Sequence, residues 1–425
     1  MRFERQYYLD ELIARKHNGM IKIITGLRRS GKSYLLFELF RAHLIENGVS
    51  EEQIIAFSLE NRRMKKLRNP DECIAYIDAH IKGDKMHYVM IDEVQMMAEF
   101  EDVLNSYLDM PNVDVYVTGS NSRFLVSDVV TEFRGRGDEV RVFPLSISEL
   151  HAAYPEKTWD ELWQGYSNFG GLPMAVLTEG VDRKKAYLKQ LFRTTYFKDI
   201  VERYHIHHTE QLDQLVDFVA SSVGSLTNAN KLANTFQSKG DKISVDTVGQ
   251  YLGYLQDAFL LNQAKRYDIR GKQYIGSPYK FYFTDIGLRN ARLNFRQYEE
   301  THIMENVIYM ELLRRGCEVD VGVIEVVEKV DGKNVHKRIE VDFVVNKGDR
   351  RYYIQSAYAV PDDEKMAQEE RPLLKIYDSF KKIIVVQNNV LPWHNENGTL
   401  ILSLKQFLTD EDSWETKKGC ATRDV

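Results

Sequence analysis

Between Met20 and Phe143 the apolar positions fall into short β-rich runs separated by amphipathic helical stretches. The runs are MIKIIT, IIAFSL, HYVMID, VDVYVT and VRVF. Between them the pattern predicts a helix to Asn47, a second near Asp71–Lys82 and a short one before VDVYVT. Gly48 stands directly after SYLLFELFRAHLIEN, where a left-handed helix stop belongs. Apolar strands alternating with helices predict a parallel sheet with helices on its faces.

After PLSISEL the strand signal fades, and Glu161 to Tyr204 reads as helices with a loop at FGGLP, a helical lid. Glu210 to Asp285 reads as three helices, then strands FLLNQAKRY and KFYFTD around the turn-rich IRGKQYIGSP, a winged-helix order. From His302 the pattern is helix (MENVIYMELLRRG), strand (VDVGVIEVVE), turn (DGKN), strands KRIEVDFVVN and RYYIQSAYAV, a helix near Glu369–Phe380 and strand KIIVVQ. The expected divisions are a nucleotide-binding core (1–155), a lid (156–208), a winged helix (209–290), a small α/β domain (291–408) and a charged tail (409–425).

A chain of 425 residues with 43% hydrophobic and 28% charged positions has the balance of a multi-domain globular protein. The net charge of −6 excludes a global basic field for coating nucleic acid or an anionic membrane, so any DNA contact must be local. No run approaches the roughly 18 apolar residues of a membrane span, and the charged start MRFERQYYLDEL does not read as a signal peptide, so a cytoplasmic protein with no membrane partner is expected. Cys73, Cys317 and Cys420 are widely spaced and fit reduced thiols rather than a disulfide framework or a CxxC knuckle.

The strand IKIIT runs into Gly26-Leu27-Arg28-Arg29-Ser30-Gly31-Lys32-Ser33, which satisfies GxxxxGK[ST] and opens a helix at Tyr34. Such a loop curls so that backbone N–H groups face phosphates, with Lys32 on the β- and γ-phosphates of ATP and the Ser33 hydroxyl on Mg²⁺. HYVMIDE supplies Asp92 as the carboxylate for Mg²⁺ and Glu93 as the general base that polarises the attacking water. VDVYVT ends in TGSNS, bringing Thr118, Ser120 and Asn121 to the same sheet edge, either as γ-phosphate sensors or as caps of the next helix. Arg134 and Arg136 in FRGRG read either as an arginine finger, for their own phosphates or a neighbour's in a homo-oligomer, or as surface residues of a Gly-rich turn.

These segments, with RVFPLSISEL, FGGLP, FTDIGLRNA and MENVIYMELLRRG…EVDFVV, resemble the bacterial and archaeal AAA-type ATPases whose C-terminal half carries a domain of unknown function. The resemblance implies a sheet in which the acidic strand is not adjacent to the loop-bearing strand. It also implies that FGGLP brings Gly171 and Pro173 to the nucleotide, and that the last domain is similar to the PD-(D/E)xK nuclease fold. Glu305 and Asp342 match that fold's first two acidic positions, but Gln355-Ser356-Ala357 stands where its ExK belongs, so both the carboxylate and the lysine are missing.

The helix expected to read DNA, Val245–Asp257, contains Asp246 and Asp257 and no Lys or Arg. Cations lie instead on the wing (Lys265, Arg266, Arg270, Lys272) and in a loop, Asn61–Arg68, which permits only weak, sequence-independent DNA contact. His205, His207 and His208 lack further ligands at metal spacing. The expectation is an α/β protein that binds ATP and Mg²⁺, hydrolyses ATP to ADP and phosphate, and acts as a nucleotide-dependent switch toward a protein partner; the alternative is a DNA-binding or DNA-processing factor gated by ATP.

Overall fold

A computed structural model describes residues 3–120, 135–330, 333–359 and 362–415, and the chain divides into two units. Unit 1 comprises Met1–Leu145, Leu172–Leu177 and Tyr254–Leu260, and unit 2 the remainder. Asn121, Arg134 and Cys420 lie outside the described residues.

In unit 1, strands β1 (Ile21–Thr25), β2 (Ile54–Ser58), β3 (His87–Asp92), β4 (Val113–Thr118) and β5 (Gly137–Arg141) form one parallel sheet. Their order is β2-β3-β4-β1-β5, so β4 separates the loop-bearing strand from the acidic one, as the family resemblance implies. Alternate side chains build two cores. Ile21, Ile23, Val89, Ile91, Val115 and Val117 join the helices Pro70–His80 and Phe100–Leu108 on one face. Ile24, Tyr88, Met90 and Tyr116 join Leu35, Leu36, Leu39 and Phe40 on the other. Burial on both faces explains why these strands read as continuous apolar runs.

Two local readings differ from the structure. The fifth strand begins at Gly137, before VRVF, because pairing with β1 (Ile21↔Gly137 through Thr25↔Arg141) draws the poor strand formers Gly137, Asp138 and Glu139 into the sheet. The basic run is a 3₁₀ helix, Arg62–Arg68, rather than an irregular loop. Asn61 caps it, buried Leu67 anchors it, and Arg68 donates two hydrogen bonds to the Leu59 carbonyl at 2.9 and 2.7 Å.

Unit 2 carries a mixed sheet of eight strands: β6 (Leu261–Asp268), β7 (Gln273–Phe283), β8 (Glu318–Val330), β9 (Lys333–Lys347), β10 (Arg350–Ala357), β11 (Lys381–Val386), β12 (Trp393–His394) and β13 (Leu400–Ser403). The order is β12-β13-β11-β10-β9-β8-β6-β7. The hairpin β6–β7 follows three helices, Thr209–Ser221, Ala229–Ser238 and Val245–Asp257, and it shares this sheet with the last segment. The join is parallel pairing of β6 with β8, from Arg266↔Val321 to Asp268↔Val323. β7 extends back through much of the segment read as turn-rich, and the helix expected at Glu369–Phe380 instead spans Asp363–Leu374. Asp362 sets its start by accepting from the Lys365 N–H at 2.8 Å.

The first three residues of FGGLP, Phe169 to Gly171, and the segment FTDIGLRNA, far apart in sequence, clasp each other within unit 2. Asp285 caps the helix Ile286–Arg292 and also accepts the Gly171 N–H at 2.8 Å, while Asn290 Nδ2 donates to the carbonyls of Ser167 and Asn168 at 2.8 and 3.0 Å. Gly287 permits the approach: a Cβ there would stand 2.1 Å from the Phe169 carbonyl oxygen. Gly287→Ala is therefore expected to destabilise unit 2 by about 3 kcal/mol, because backbone cannot retreat as a flexible side chain can. Chemical denaturation followed by circular dichroism checks this; an unchanged midpoint would refute the clasp.

Candidate functional site

All strands of unit 1 run the same way, so their C-terminal ends share one edge, and the polar residues that close apolar runs meet there. β1 leads into the loop Gly26–Ser33. Positive φ at Gly26 (126°), Arg29 (65°) and Gly31 (102°) makes the backbone reverse repeatedly, which turns N–H groups toward one concavity. Gly26 is also needed for space, since a Cβ would lie 2.1 Å from the Val142 carbonyl oxygen. Leu27 and Ser30 are buried, Arg29 is exposed, and Tyr34 is half-buried in the first helical turn. Lys32 is buried and donates to the carbonyls of Gly26 and Leu27 at 2.9 and 3.2 Å. Burial lowers the pKa of its ammonium, while Glu93 and Asp92 favour the charged form.

Asp92 is the hub of this edge. Its Oδ1 accepts from the Ser33 and Thr118 hydroxyls, each at 2.6 Å, and its Oδ2 from Ser58 at 2.9 Å. One carboxylate thus ties the ends of β2, β3 and β4 to the helix after β1. The next residue, Glu93, adopts a left-handed conformation (φ 54°, ψ 48°) and donates its N–H to Thr118 Oγ1 at 3.0 Å. That backbone reversal sends the two carboxylates different ways. Glu93 Oε2 accepts from Ser120 Oγ at 3.1 Å and from the Gln95 side-chain amide. Burial raises the Glu93 pKa, with Lys32 opposing and Asp92 adding to the rise.

The remaining sequence candidates divide. Arg28 pairs with Glu60 at 2.7 Å. Pro173, carried in unit 1 by the helix Pro173–Leu177, lies beside the loop: a Cβ on Gly31 would be 3.9 Å from its Cγ. Gly171 does not offer its N–H to a nucleotide, because Asp285 already accepts it. Arg136 requires correction as a finger for the chain's own phosphates. It precedes β5 at the opposite edge of the sheet, where its carbonyl accepts from Ile21 N–H and its guanidinium meets Asp109 at 3.2 Å. The five residues of β1 then separate it from the loop by roughly 16 Å at ~3.3 Å per residue. Sequence reasoning missed Ser58 and Gln95; the signal for Ser58 was a hydroxyl closing an apolar strand, whereas nothing local marked Gln95.

In unit 2, Glu305, Glu340 and Asp342 surround a lysine that no motif indicated. Lys280, on β7, places its Nζ 2.8 Å from Glu305, 2.7 Å from Glu340 and 4.0 Å from Asp342. The acids are thus paired with a buried ammonium. Tyr282 donates to Glu305 Oε1 at 2.6 Å and the Ser356 N–H to Asp342 Oδ2 at 2.9 Å, while Gln355 Oε1 accepts the Asp342 N–H at 3.3 Å. Burial pulls the Lys280 pKa down, but Glu305, Asp342 and Glu340 outweigh it and hold the amine charged. Two of the wing cations are engaged inside the fold: Arg266 is buried, and Arg270 donates to the carbonyls of Glu325 and Lys375 at 3.0 and 3.2 Å. His205, His207 and His208 are exposed, and among the described residues no group of three or more His, Cys, Asp or Glu is arranged around a metal position.

Burial, with Glu305 close by, pushes Asp342 up to about 7, only partly offset by Lys280. A carboxyl whose folded value lies above its free value stabilises the fold in its protonated form; that contribution is complete below about pH 4 and is lost as pH rises through about 7. Asp342→Asn, which has no carboxyl to ionise, should consequently raise stability by about 2 kcal/mol at pH 5 and by about 4 kcal/mol at pH 8. Thermal unfolding of both proteins at the two pH values is the measurement, and an equal effect at both would contradict the assignment.

A family profile described as an AAA domain matches residues 18–151, and one described as a domain of unknown function (DUF8612) matches residues 160–299. An uncharacterized protein of Haemophilus influenzae is 33% identical over 386 residues, 90% of this chain and 92% of its own length. An uncharacterized protein of Methanocaldococcus jannaschii is 24% identical over 383 residues, 87% of this chain and 80% of its own. Among solved structures, a Walker-type ATPase of Pyrococcus abyssi is similar over 69% of this chain and 96% of its own, with a TM-score of 0.48 and 15% identity. With the loop-bearing parallel sheet inside the first profile and close relatedness running along nearly the whole of both chains, the protein belongs to the family of AAA-type P-loop ATPases that carry a C-terminal domain of unknown function.

Proposed function

We propose that unit 1 binds ATP with Mg²⁺ and hydrolyses it to ADP and phosphate, and that unit 2 is a non-catalytic platform whose engagement follows the nucleotide. The observation that carries this reading is the meeting of the phosphate-type loop, Asp92 and Glu93 at one sheet edge. The donor set fits a hard cation: Ser33, Ser58, Thr118 and Asp92 offer only oxygen, with Ser33 and Asp92 the residues that would hold Mg²⁺. When bound, Mg²⁺ supplies positive charge to the β- and γ-phosphate oxygens.

The chain's own residues would act as follows. The loop N–H groups and Lys32 Nζ hold the β- and γ-phosphates, Lys32 exchanging its two loop carbonyls for phosphate oxygens. Glu93 takes one proton from water as the water oxygen bonds to the γ-phosphorus. The β–γ bridging P–O bond breaks and its electron pair leaves on ADP. Pro173 beside Gly31 is a candidate contact for the base. Buried Cys73 and Cys317, whose thiols burial pushes up to about 11, fit a reducing compartment such as the cytoplasm. Among the described residues no helix is long and apolar enough to cross a membrane.

Glu93→Gln keeps shape and hydrogen bonding but removes the base. It is expected to retain ATP binding by isothermal titration while lowering steady-state turnover by about 10² or more. Hydrolysis at the wild-type rate would place the base elsewhere.

A second reading, weak and sequence-independent DNA contact, is favoured by one observation: the 3₁₀ helix holds Arg62, Arg63, Lys65 and Lys66 exposed, with no acidic residue among them. Exposed Lys265 and Lys272 add to it. Fluorescence anisotropy with unrelated duplexes should give similar affinities that fall steeply with salt, and Arg63→Ala with Lys66→Ala should weaken all of them alike. The same DNA should stay uncut in Mg²⁺ or Mn²⁺, because Lys280 neutralises the acids and Ala357 supplies no cation. Strong preference for one sequence, or nicking that requires Asp342, would overturn this reading.

A further inference from the structure

The segment after the acidic strand contains an acceptor that the roles assigned so far leave unused. Val94–Met96 forms a 3₁₀ turn that begins at Glu93, and Gln95 folds back across it. The Gln95 amide nitrogen donates to Glu93 Oε2 and lies 3.4 Å from Ser120 Oγ. The orientation of the amide is forced. A carboxylate can only accept, so Gln95 must present its NH₂ to Glu93, and its carbonyl oxygen is left for another donor. That oxygen, Gln95 Oε1, is buried and has no hydrogen-bond partner among the described residues. Leaving a buried carbonyl unmet costs about 1–3 kcal/mol, so a donor belongs there in the working protein.

A single water held by both groups would donate one hydrogen to each acceptor. Glu93 Oε2 is already occupied by Gln95 and Ser120, which leaves Oε1 of the carboxylate for that water.

We propose that Gln95 is a second catalytic residue beside Glu93, fixing the carboxylate through its NH₂ and receiving the attacking water on its carbonyl oxygen. The inference rests on the ATP-hydrolysis reading. The two acceptors take the water's two hydrogens, which aims its lone pair away from both, while the proton that leaves goes to Glu93 alone. Gln95 neither gains nor loses a proton.

The test is ATP turnover of Gln95→Met, which keeps the side-chain length but removes both amide functions, and of Gln95→Ala, with the unfolding midpoint of each variant measured alongside. Glu93→Gln is run beside them. For both Gln95 variants kcat should fall about tenfold or more with KM for ATP little changed. A side chain needed only for packing would lower the unfolding midpoint and leave kcat of the folded protein unchanged. Wild-type kcat in the Gln95 variants beside an inactive Glu93→Gln would overturn the role of Gln95 alone. A fully active Glu93→Gln would instead overturn the reading of Glu93 as base.

Discussion

The Asp92 carboxylate receives three hydroxyl hydrogen bonds, from Ser33, Ser58 and Thr118, and the geometry of the whole loop-bearing edge depends on that convergence. Each donor stands at the end of a different element, so the carboxylate fixes their relative heights as well as its own position. The arrangement requires parallel strands, because only then do β2, β3 and β4 finish together. It also requires β4 between β1 and β3, since Thr118 must reach Asp92 with its hydroxyl and Glu93 with the same oxygen acting as acceptor. The left-handed turn at Glu93 follows from this anchoring: with Asp92 and the Glu93 N–H both held, the chain reverses within one residue, and the two acids are left with separate partners.

Unit 2 meets an opposite electrostatic problem. Two carboxylates from β9 and one from the helix Glu300–Arg314 converge, and a single ammonium from β7 lies among them. Such a cluster is costly to bury and costly to break, because losing the lysine would leave acids without water or counter-charge. Unit 1 contains a smaller version at the far edge of its sheet, where buried Lys22 pairs with Asp114 and donates to the Met20 carbonyl at 2.8 Å. In both, the ion pair joins separate elements: Lys280 ties β7 to β9 and to the helix Glu300–Arg314.

Much of unit 1 was legible because its information is local. An apolar run closed by a polar residue predicts a strand end, and GLRRSGKS between strand and helix predicts a phosphate loop. β5 was misplaced at its start because Gly137–Glu139 become strand only through pairing with β1. Arg136 looked suitable by residue type, and only the sheet register reveals which edge it occupies. Unit 2 was less legible for the same reason on a larger scale. Parallel pairing of β6 with β8 joins segments some fifty residues apart, and Lys280 sits in a strand whose pattern gave no sign that three acids lay around it. The family motifs FGGLP and FTDIGLRNA were visible as strings, but their reason, a backbone clasp around Gly287, is a property of the folded chain.

The composition of unit 1 bears on how the protein is made. Its sheet is complete in sequence by Leu145, yet Leu172–Leu177 and Tyr254–Leu260 also belong to it. A ribosome adds roughly 5–20 residues per second, so on the order of ten seconds pass between synthesis of the sheet and synthesis of its last contributing segment. During that interval the nascent sheet lacks contacts that the finished unit possesses, and the chain emerging meanwhile belongs mostly to unit 2. Maturation of the nucleotide-binding unit is thus timed by translation of residues well beyond its own sheet, and a nascent chain stalled before Tyr254 would carry the full phosphate-loop motif in an unfinished fold.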